Sequence, residues 1–151
     1  MLSIVLLMLA GTLVGSEICI ALFVHPTLYK LPDECHLRAV KPIASLLGRV
    51  MPFWYFAVFA LGIAECYFSR GTGAMIRYLL YAFTGLIGFS VVFSLLGPVP
   101  INNRISNLDP SHPPENWREL RQRWDRLSLI RVAILLIALF LLVSGEVIGH
   151  R

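Results

Sequence analysis

The chain has 151 residues, of which 57% are hydrophobic and 15% are charged, whereas an ordinary soluble domain has about 25% charged residues. A mean hydropathy of +0.73 argues against a soluble globular fold, because a domain of this size must cover itself with polar side chains. The basic residues behind the formal net charge of +4 alternate with acidic ones beside apolar segments, which favours an anionic membrane surface over nucleic acid as a partner. The composition therefore indicates an integral membrane protein in contact with a lipid bilayer.

Four segments are long and apolar enough to cross a bilayer, which takes about 20 residues of helix. They are residues 2–24, 50–68, 78–99 and 127–148, and we treat 1–151 as a single membrane domain. Within lipid only helices satisfy their own backbone hydrogen bonds, so the spans are expected to be helical. The first segment lacks the basic start of a secretory signal peptide and is too long for one, so we expect a retained helix. The predicted fold class is all-α, a four-transmembrane-helix bundle.

A basic amphipathic helix is predicted immediately before the fourth span. Pro114 suits its first turn, and Trp117, Leu120, Trp124 and Leu127 recur at the three- and four-residue spacing of one helix face. Such a helix usually lies in the membrane interface. We therefore expect a cytosolic amphipathic helix, or else a cytosolic extension of the fourth helix itself.

The basic residues are distributed unevenly between the loops. Of the 13 Lys and Arg residues, only Arg70, Arg77 and Arg151 fall on the side that holds the second connection and the termini. The others lie in the first and third connections or just inside the fourth span. Because cytosolic loops carry the excess of Lys and Arg, both termini are expected on the exterior or periplasmic side and the two long connections in the cytosol.

Polar residues collect at the cytosolic ends of all four predicted helices. In a four-helix bundle such a convergence builds a polar pocket with an apolar floor. Because membrane helices commonly end in polar residues, ordinary helix termini explain the pattern equally well. The residues concerned are His25, Arg49, Pro52, Asn102, Asn103, Arg104, Trp124, Asp125 and Arg131.

Asp125 lies four residues after Arg121 on the predicted amphipathic helix. Side chains at this spacing are neighbours, so a guanidinium is expected beside the carboxylate. Arginine orients a carboxylate or an oxyanion through a two-pronged hydrogen bond that lysine cannot copy. A solvated surface salt bridge is the simpler interpretation of neighbouring arginines, but Asp125 and Arg131 are nearer the bilayer and are better candidates for a site.

Glu17 is the one charged residue predicted deep in the membrane, roughly 12 Å below His25 at the rise of an α-helix. An ionisable side chain at that depth is costly and is therefore a candidate for function. Its expected partner is Arg131, Arg49 or a hydroxyl such as that of Ser94. A structural hydrogen bond from a protonated carboxyl group is the alternative.

His25 ends the first span and could accept a proton near neutral pH, bind a metal or simply lie at the interface. A metal site would draw on His25, Cys35, His36 and His112, whose spacing matches no ligand pattern. No metal site and no cofactor are therefore predicted, although axial ligation of haem and binding of copper stay open.

Four short motifs flank the predicted spans. They are His25-Pro26, Gly48-Arg49-Val50-Met51-Pro52, Asn102-Asn103-Arg104-Ile105, and Trp117-Arg118 followed by Arg121, Arg123, Trp124, Asp125 and Arg131. Together they resemble the anthrone oxygenase-like family of small four-helix membrane proteins, and the resemblance covers nearly the whole chain. It implies oxidation of an anthrone-like or hydroquinone-like aromatic by molecular oxygen without a metal or flavin.

The implied reaction assigns roles to individual residues. Removing a proton from the acidic CH2 group of an anthrone gives an anion that can pass an electron to oxygen. The protein need supply only a base, a cation for the oxyanion and a dry aromatic slot. The resemblance implies His25 or Asp125 as the base and Arg104 or Arg131 as the oxyanion partner. The substrate-binding residues expected are Asn103, Trp124, Trp54 and Glu17.

A non-enzymatic function is the alternative. The chain would then be a membrane module that binds a quinone, haem, metal or lipid, or an accessory subunit of a membrane complex. A transporter is less favoured, because no inverted repeat is present to support alternating access. The expected partners are the bilayer and a small hydrophobic aromatic molecule, and the sequence leaves a homo-oligomer open.

Overall fold

The computed structural model describes residues 1–110 and 112–149, which are almost entirely helical and contain no strand. Arg151, counted above among the basic residues, lies outside these ranges. The first helix, α1, is α-helical at Leu2–Cys19 and His25–Leu28 and π-helical between them, at Ile20–Val24. The helices are α1 (Leu2–Leu28), α2 (Asp33–Phe68), α3 (Ala74–Leu96), α4 (Pro98–Ser106) and α5 (Trp117–Gly149).

Four of these helices, α1, α2, α3 and α5, are long and apolar enough to cross a membrane. This confirms the predicted all-α class with four candidate spans and fits a multi-pass membrane protein. Among the described residues, the remaining helix, α4, is short and directly follows α3. It brings the chain back towards α2 before the loop that leads to α5.

Two helices begin ten or more residues before the spans predicted from hydropathy. The first connection was expected to be a loop, but α2 already begins at Asp33, after Pro32. Asp33 and Glu34 in the first turn favour this start, because carboxylates are stabilised at a helix N-terminus. Similarly, α5 begins at Trp117 and continues without a break through the fourth span. The predicted amphipathic helix is therefore the N-terminal extension of that span.

The third helix ends where the sequence places two breakers. Gly97 has φ −115° and ψ −81°, outside the helical region, and Pro98 opens α4. Proline disfavours the helical conformation in the residue before it and has no N–H to continue the helix of α3. The resulting change of direction turns Asn102 towards α2, where its amide Nδ2 donates to the carbonyl oxygen of Ala44 over 3.0 Å.

Two hydrophobic clusters hold the bundle together. The larger one joins the four long helices through residues such as Leu13, Val58 and Phe83. The smaller one lies towards the expected cytosolic end and includes Val40 and Trp124. Tyr55 belongs to the larger cluster and Trp124 to the smaller one, so both clusters contribute residues to the candidate site described below.

Candidate functional site

A cavity of about 240 Å³ lies between the helices of the bundle, in the half that contains α4. Most of its wall is apolar or aromatic, and only a few polar groups reach it. This is the usual composition of a site for a small organic molecule. The polar residues that line it are Glu17, Tyr55, Ser94, Asn102 and Arg131.

The centre of the site is a buried ion pair between α1 and α5. Arg131 Nη2 donates to Glu17 Oε2 over 2.7 Å, and the Glu17 side chain is only 2% exposed. Tyr55 on α2 donates its hydroxyl to Glu17 Oε1 over 3.0 Å, and Arg131 Nη1 donates to Ser94 Oγ on α3 over 3.3 Å. All four long helices therefore contribute to one hydrogen-bonded group, which compensates for the removal of two charges from water.

The sequence suggested three partners for Glu17, and the structure pairs it with Arg131. Ser94 joins the group through Arg131, whereas Arg49 is exposed and donates to Ser45 Oγ on its own helix. Sequence reasoning missed Tyr55, because it stands within the aromatic run that opens the second predicted span. Aromatic residues there are typical of the membrane interface, and no local signal separates Tyr55 from its neighbours.

A second polar cluster surrounds Asp125, nearer the expected cytosolic end of the bundle. His25 Nδ1 lies 3.2 Å from Asp125 Oδ1, and Arg121 Nη2 lies 3.3 Å from the same oxygen. Tyr29 donates its hydroxyl to Asp125 Oδ2 over 2.5 Å. The helical spacing of Arg121 and Asp125 predicted their contact, but the approach of Tyr29 depends on the turn between α1 and α2.

Tyr29 lies in the turn between α1 and α2, and its titration is coupled to Asp125. Tyr29 is 42% exposed, and its partial burial together with the hydrogen bond to the Asp125 carboxylate raises the pKa of Tyr29 above the ordinary value for tyrosine. Tyr29 is therefore a hydrogen-bond donor throughout the physiological pH range.

This coupling predicts a stability difference at alkaline pH. Above pH of about 10, the unfolded chain ionises its tyrosines while folded Tyr29 keeps its proton, so the wild type should lose stability relative to Tyr29→Phe. Below that pH, Tyr29→Phe should be less stable by about 1 kcal/mol, the usual contribution of one hydrogen bond. Thermal unfolding of both proteins across this pH range measures the difference. A constant difference would contradict the coupling.

Trp124 connects the second cluster to the cavity. Its indole lines the cavity and also packs edge-on against the ring of His25, with the centroids 4.5 Å apart. Within the described part of the chain, Trp124 Nε1 and His25 Nε2 are buried and have no hydrogen-bond partner. His36 extends the same aromatic layer, with its ring 5.0 Å from that of Tyr29.

The π-helical segment explains how α1 serves both clusters. On a regular α-helix, Glu17 and His25 would point about 80° apart around the axis. The wider turns at Ile20–Val24 reduce that angle, and both side chains are buried, at 2% and 3% exposure. Single π-turns of this kind are frequent at functional sites.

Five of the eight predicted site residues do not line the cavity. Asn103 and Arg104 are exposed on α4 and line a shallow surface depression, because the turn at Gly97 directs the neighbouring Asn102 inward instead. Trp54 is half-buried and packs against the core of the four long helices. Glu17, Trp124 and Arg131 do line the cavity, while His25 and Asp125 form the second cluster beside it.

The suggested metal ligands are scattered. Within residues 1–110 and 112–149, no three His, Cys, Asp or Glu side chains are close enough to hold a metal ion. Cys35 is exposed, and His112 is exposed and lies 3.4 Å from Asp109. His36 is buried in the aromatic layer of α2, between Tyr29 and Trp117.

Comparison with known proteins adds one finding at the level of family. No curated protein and no solved structure gives a significant match to the chain. The sequence model of the anthrone oxygenase family matches residues 43–141. This range covers well over half of the chain and includes Tyr55, Ser94, Asn102 and Arg131 of the cavity wall. The chain therefore belongs to the anthrone oxygenase family.

Proposed function

We propose that the protein is a membrane-embedded oxygenase that oxidises an anthrone-like or hydroquinone-like aromatic with molecular oxygen and without a cofactor. The observation that carries this proposal is the buried Glu17–Arg131 pair in the wall of an apolar, aromatic cavity. Membership of the anthrone oxygenase family supports an oxygenase-related function. The volume of about 240 Å³ is below the range of roughly 300–1,000 Å³ for drug-sized ligands, which suits a small, flat ring system.

Glu17 is the base in this proposal, because it lines the cavity and His25 and Asp125 do not. A proton passes from the CH2 group of the anthrone to the Glu17 carboxylate, and the negative charge moves to the anthrone oxygen. Arg131, already hydrogen-bonded to Glu17, then stabilises that oxyanion. The guanidinium keeps an anionic partner throughout, so no charge is left uncompensated in the low-dielectric site.

Molecular oxygen completes the reaction. The substrate anion passes an electron to oxygen, and the two radicals combine to form a carbon–oxygen bond and a hydroperoxide, which takes the proton back from Glu17. Glu17 then removes the second proton from the same carbon, the oxygen–oxygen bond breaks, and the departing hydroxide leaves as water with that proton. One anthrone and one oxygen molecule thus give one anthraquinone and one water.

The second cluster positions the wall of the cavity in this proposal. Trp124 forms part of the slot for the ring system, and His25 packs edge-on against its indole. Asp125, held by Tyr29, fixes His25 in turn. The exposed residues Asn103 and Arg104 have no contact with the substrate, and Arg131 alone serves as the oxyanion partner.

We further propose that the cavity lies in the cytosolic half of the membrane, with both termini on the exterior or periplasmic side. The uneven distribution of basic residues between the loops supports this orientation. A homo-oligomer is compatible with the proposal, because each chain carries a complete cavity wall.

Oxygen uptake with an anthrone as substrate tests the proposed function. Purified protein in lipid nanodiscs should consume oxygen and form the anthraquinone in equal amounts, faster than nanodiscs without protein. Met51→Trp, which fills the cavity, should lose most of this activity. Val50→Trp, on the lipid-exposed face of the same helix, is the matched control and should keep it.

The alternative is a module that binds a quinone, haem, metal or lipid without turnover. A rate equal to that of protein-free nanodiscs would reject the oxygenase and favour this class. A Soret band or stoichiometric copper in the active protein would contradict the cofactor-free reaction. Equal activity in Met51→Trp and Val50→Trp would show that the reaction takes place outside the cavity.

A further inference from the structure

The cavity opens on the outer surface of the bundle, between α2 and α3. Four of the residues that line it are exposed there, namely Gly48, Pro52, Phe56 and Leu95. Phe56 and Leu95 are 69% and 58% exposed, so large apolar side chains frame the opening. In a membrane-spanning bundle this surface meets acyl chains rather than water. A ligand therefore reaches the cavity from within the bilayer.

Close helix contacts bound this opening at both ends. Towards the far side of the membrane, a Cβ atom at Gly88 would lie 2.9 Å from the ring of Phe59, so α2 and α3 touch there. At the other end, a Cβ atom at Gly48 would lie 3.2 Å from the side-chain amide of Asn102 on α4. The stretch of α2 between these contacts is roughly 16 Å long at the rise of an α-helix. The opening is thus a slot that is closed at both ends and open to the side, and we call it the lateral slot.

Helix-breaking residues flank the lateral slot on both helices. Pro52 lies inside α2, where proline has no N–H to donate to the preceding turn, so this turn of the helix lacks one backbone hydrogen bond. Opposite, α3 ends at Leu96, and the chain leaves in a new direction at Pro98. Proline residues therefore lie beside the cavity on both sides of the lateral slot, Pro52 on α2 and Pro98 after α3.

Polarity changes along the path from the cavity to the lipid. The inner end carries the Glu17–Arg131 pair, both members of which are largely shielded from the surface. The outer end is framed by the apolar side chains of Phe56, Val91 and Leu95. This order matches a molecule with an oxygen-bearing ring at one end and a hydrocarbon chain at the other.

We propose that the substrate is an aromatic that carries an alkyl or isoprenoid chain. Its ring lies beside Glu17 and Arg131, and its chain occupies the lateral slot between Phe56 and Leu95 and continues into the bilayer. This inference rests on the proposed function and adds the class of substrate to it. An aromatic without a chain would leave the slot to lipid.

Two ligands that differ only in the chain test this inference. The probes are 2-methylanthraquinone and 2-decylanthraquinone, and their binding to protein in nanodiscs is followed by quenching of tryptophan fluorescence, since Trp124 lines the cavity. Dissociation constants are expressed as mole fractions in lipid, so that different partitioning of the probes cancels.

Leu95→Phe and Val91→Phe narrow the slot, and their matched controls are Leu96→Phe and Val92→Phe, which are exposed on α3 but outside the slot.

The two slot variants should weaken binding of the decyl compound by roughly fivefold or more, as expected when bulk is added to a filled space. They should change binding of the methyl compound by less than about twofold, and the controls should change neither. If the wild type binds both probes but the slot variants weaken them equally or not at all, the inference is wrong and the proposed function stands. If the wild type binds neither probe, both proposals fail.

Discussion

Arg131→Met is expected to destabilise the protein by about 3–5 kcal/mol, because it leaves the buried carboxylate of Glu17 without its cation. The Glu17 side chain is 2% exposed, and the hydroxyl of Tyr55 is the one other donor that the structure gives it. Methionine keeps most of the apolar volume of the arginine stem, so loss of packing contributes little. Thermal unfolding of the detergent-solubilised protein measures the effect.

A double-variant cycle separates the ion pair from other effects of the substitution. Glu17→Gln combined with Arg131→Met removes both charges. The double variant should therefore regain a large part of the stability that Arg131→Met alone loses. Arg49→Met is the matched control, because Arg49 is exposed and donates to Ser45 within its own helix. It should change stability by no more than about 0.5 kcal/mol. Additive effects of the two single variants would contradict a coupled pair.

The parts of this fold that follow from hydropathy were predictable. Four apolar segments require four helices in lipid, and the cost of burying Glu17 marked it as a site residue before any partner was known. The helical spacing of Arg121 and Asp125 also predicted their contact, which the structure shows at 3.3 Å. These predictions depend on composition or on spacing within one helix.

Contacts between helices were less accessible from the sequence. Tyr55 reaches Glu17 because α1 and α2 pack side by side, and nothing in the aromatic run distinguishes it beforehand. The sequence does not distinguish Asn103 from Asn102, because both follow the third predicted span. The turn at Gly97 then decides which of the two faces α2. Hydropathy detects only the apolar part of a helix, so it does not reveal the polar first turns of α2, which begins at Asp33.

The Glu17→Gln variant carries the largest expected effect on activity. Glutamine keeps the size of the side chain. Its amide oxygen can accept from Arg131 in place of Oε2, and its NH2 group can donate to the Tyr55 hydroxyl in place of Oε1, but it cannot take a proton from the substrate. Removal of a general base typically lowers the rate by roughly 10²–10⁴-fold. The kcat for oxidation of the anthrone should fall by that factor, while the dissociation constant for the anthraquinone product should change little.

Two further variants identify the base. Glu65→Gln is the matched control, since Glu65 accepts a hydrogen bond from Ser3 at the opposite end of the bundle and should leave kcat unchanged. His25→Gln acts through the packing of Trp124, so it should weaken binding of the quinone more than it lowers kcat. If His25→Gln instead abolished turnover while Glu17→Gln remained active, the proton acceptor would be His25. The cavity wall would then have to open beside Trp124 for His25 to reach the substrate, because His25 contacts the Trp124 ring and does not itself line the cavity.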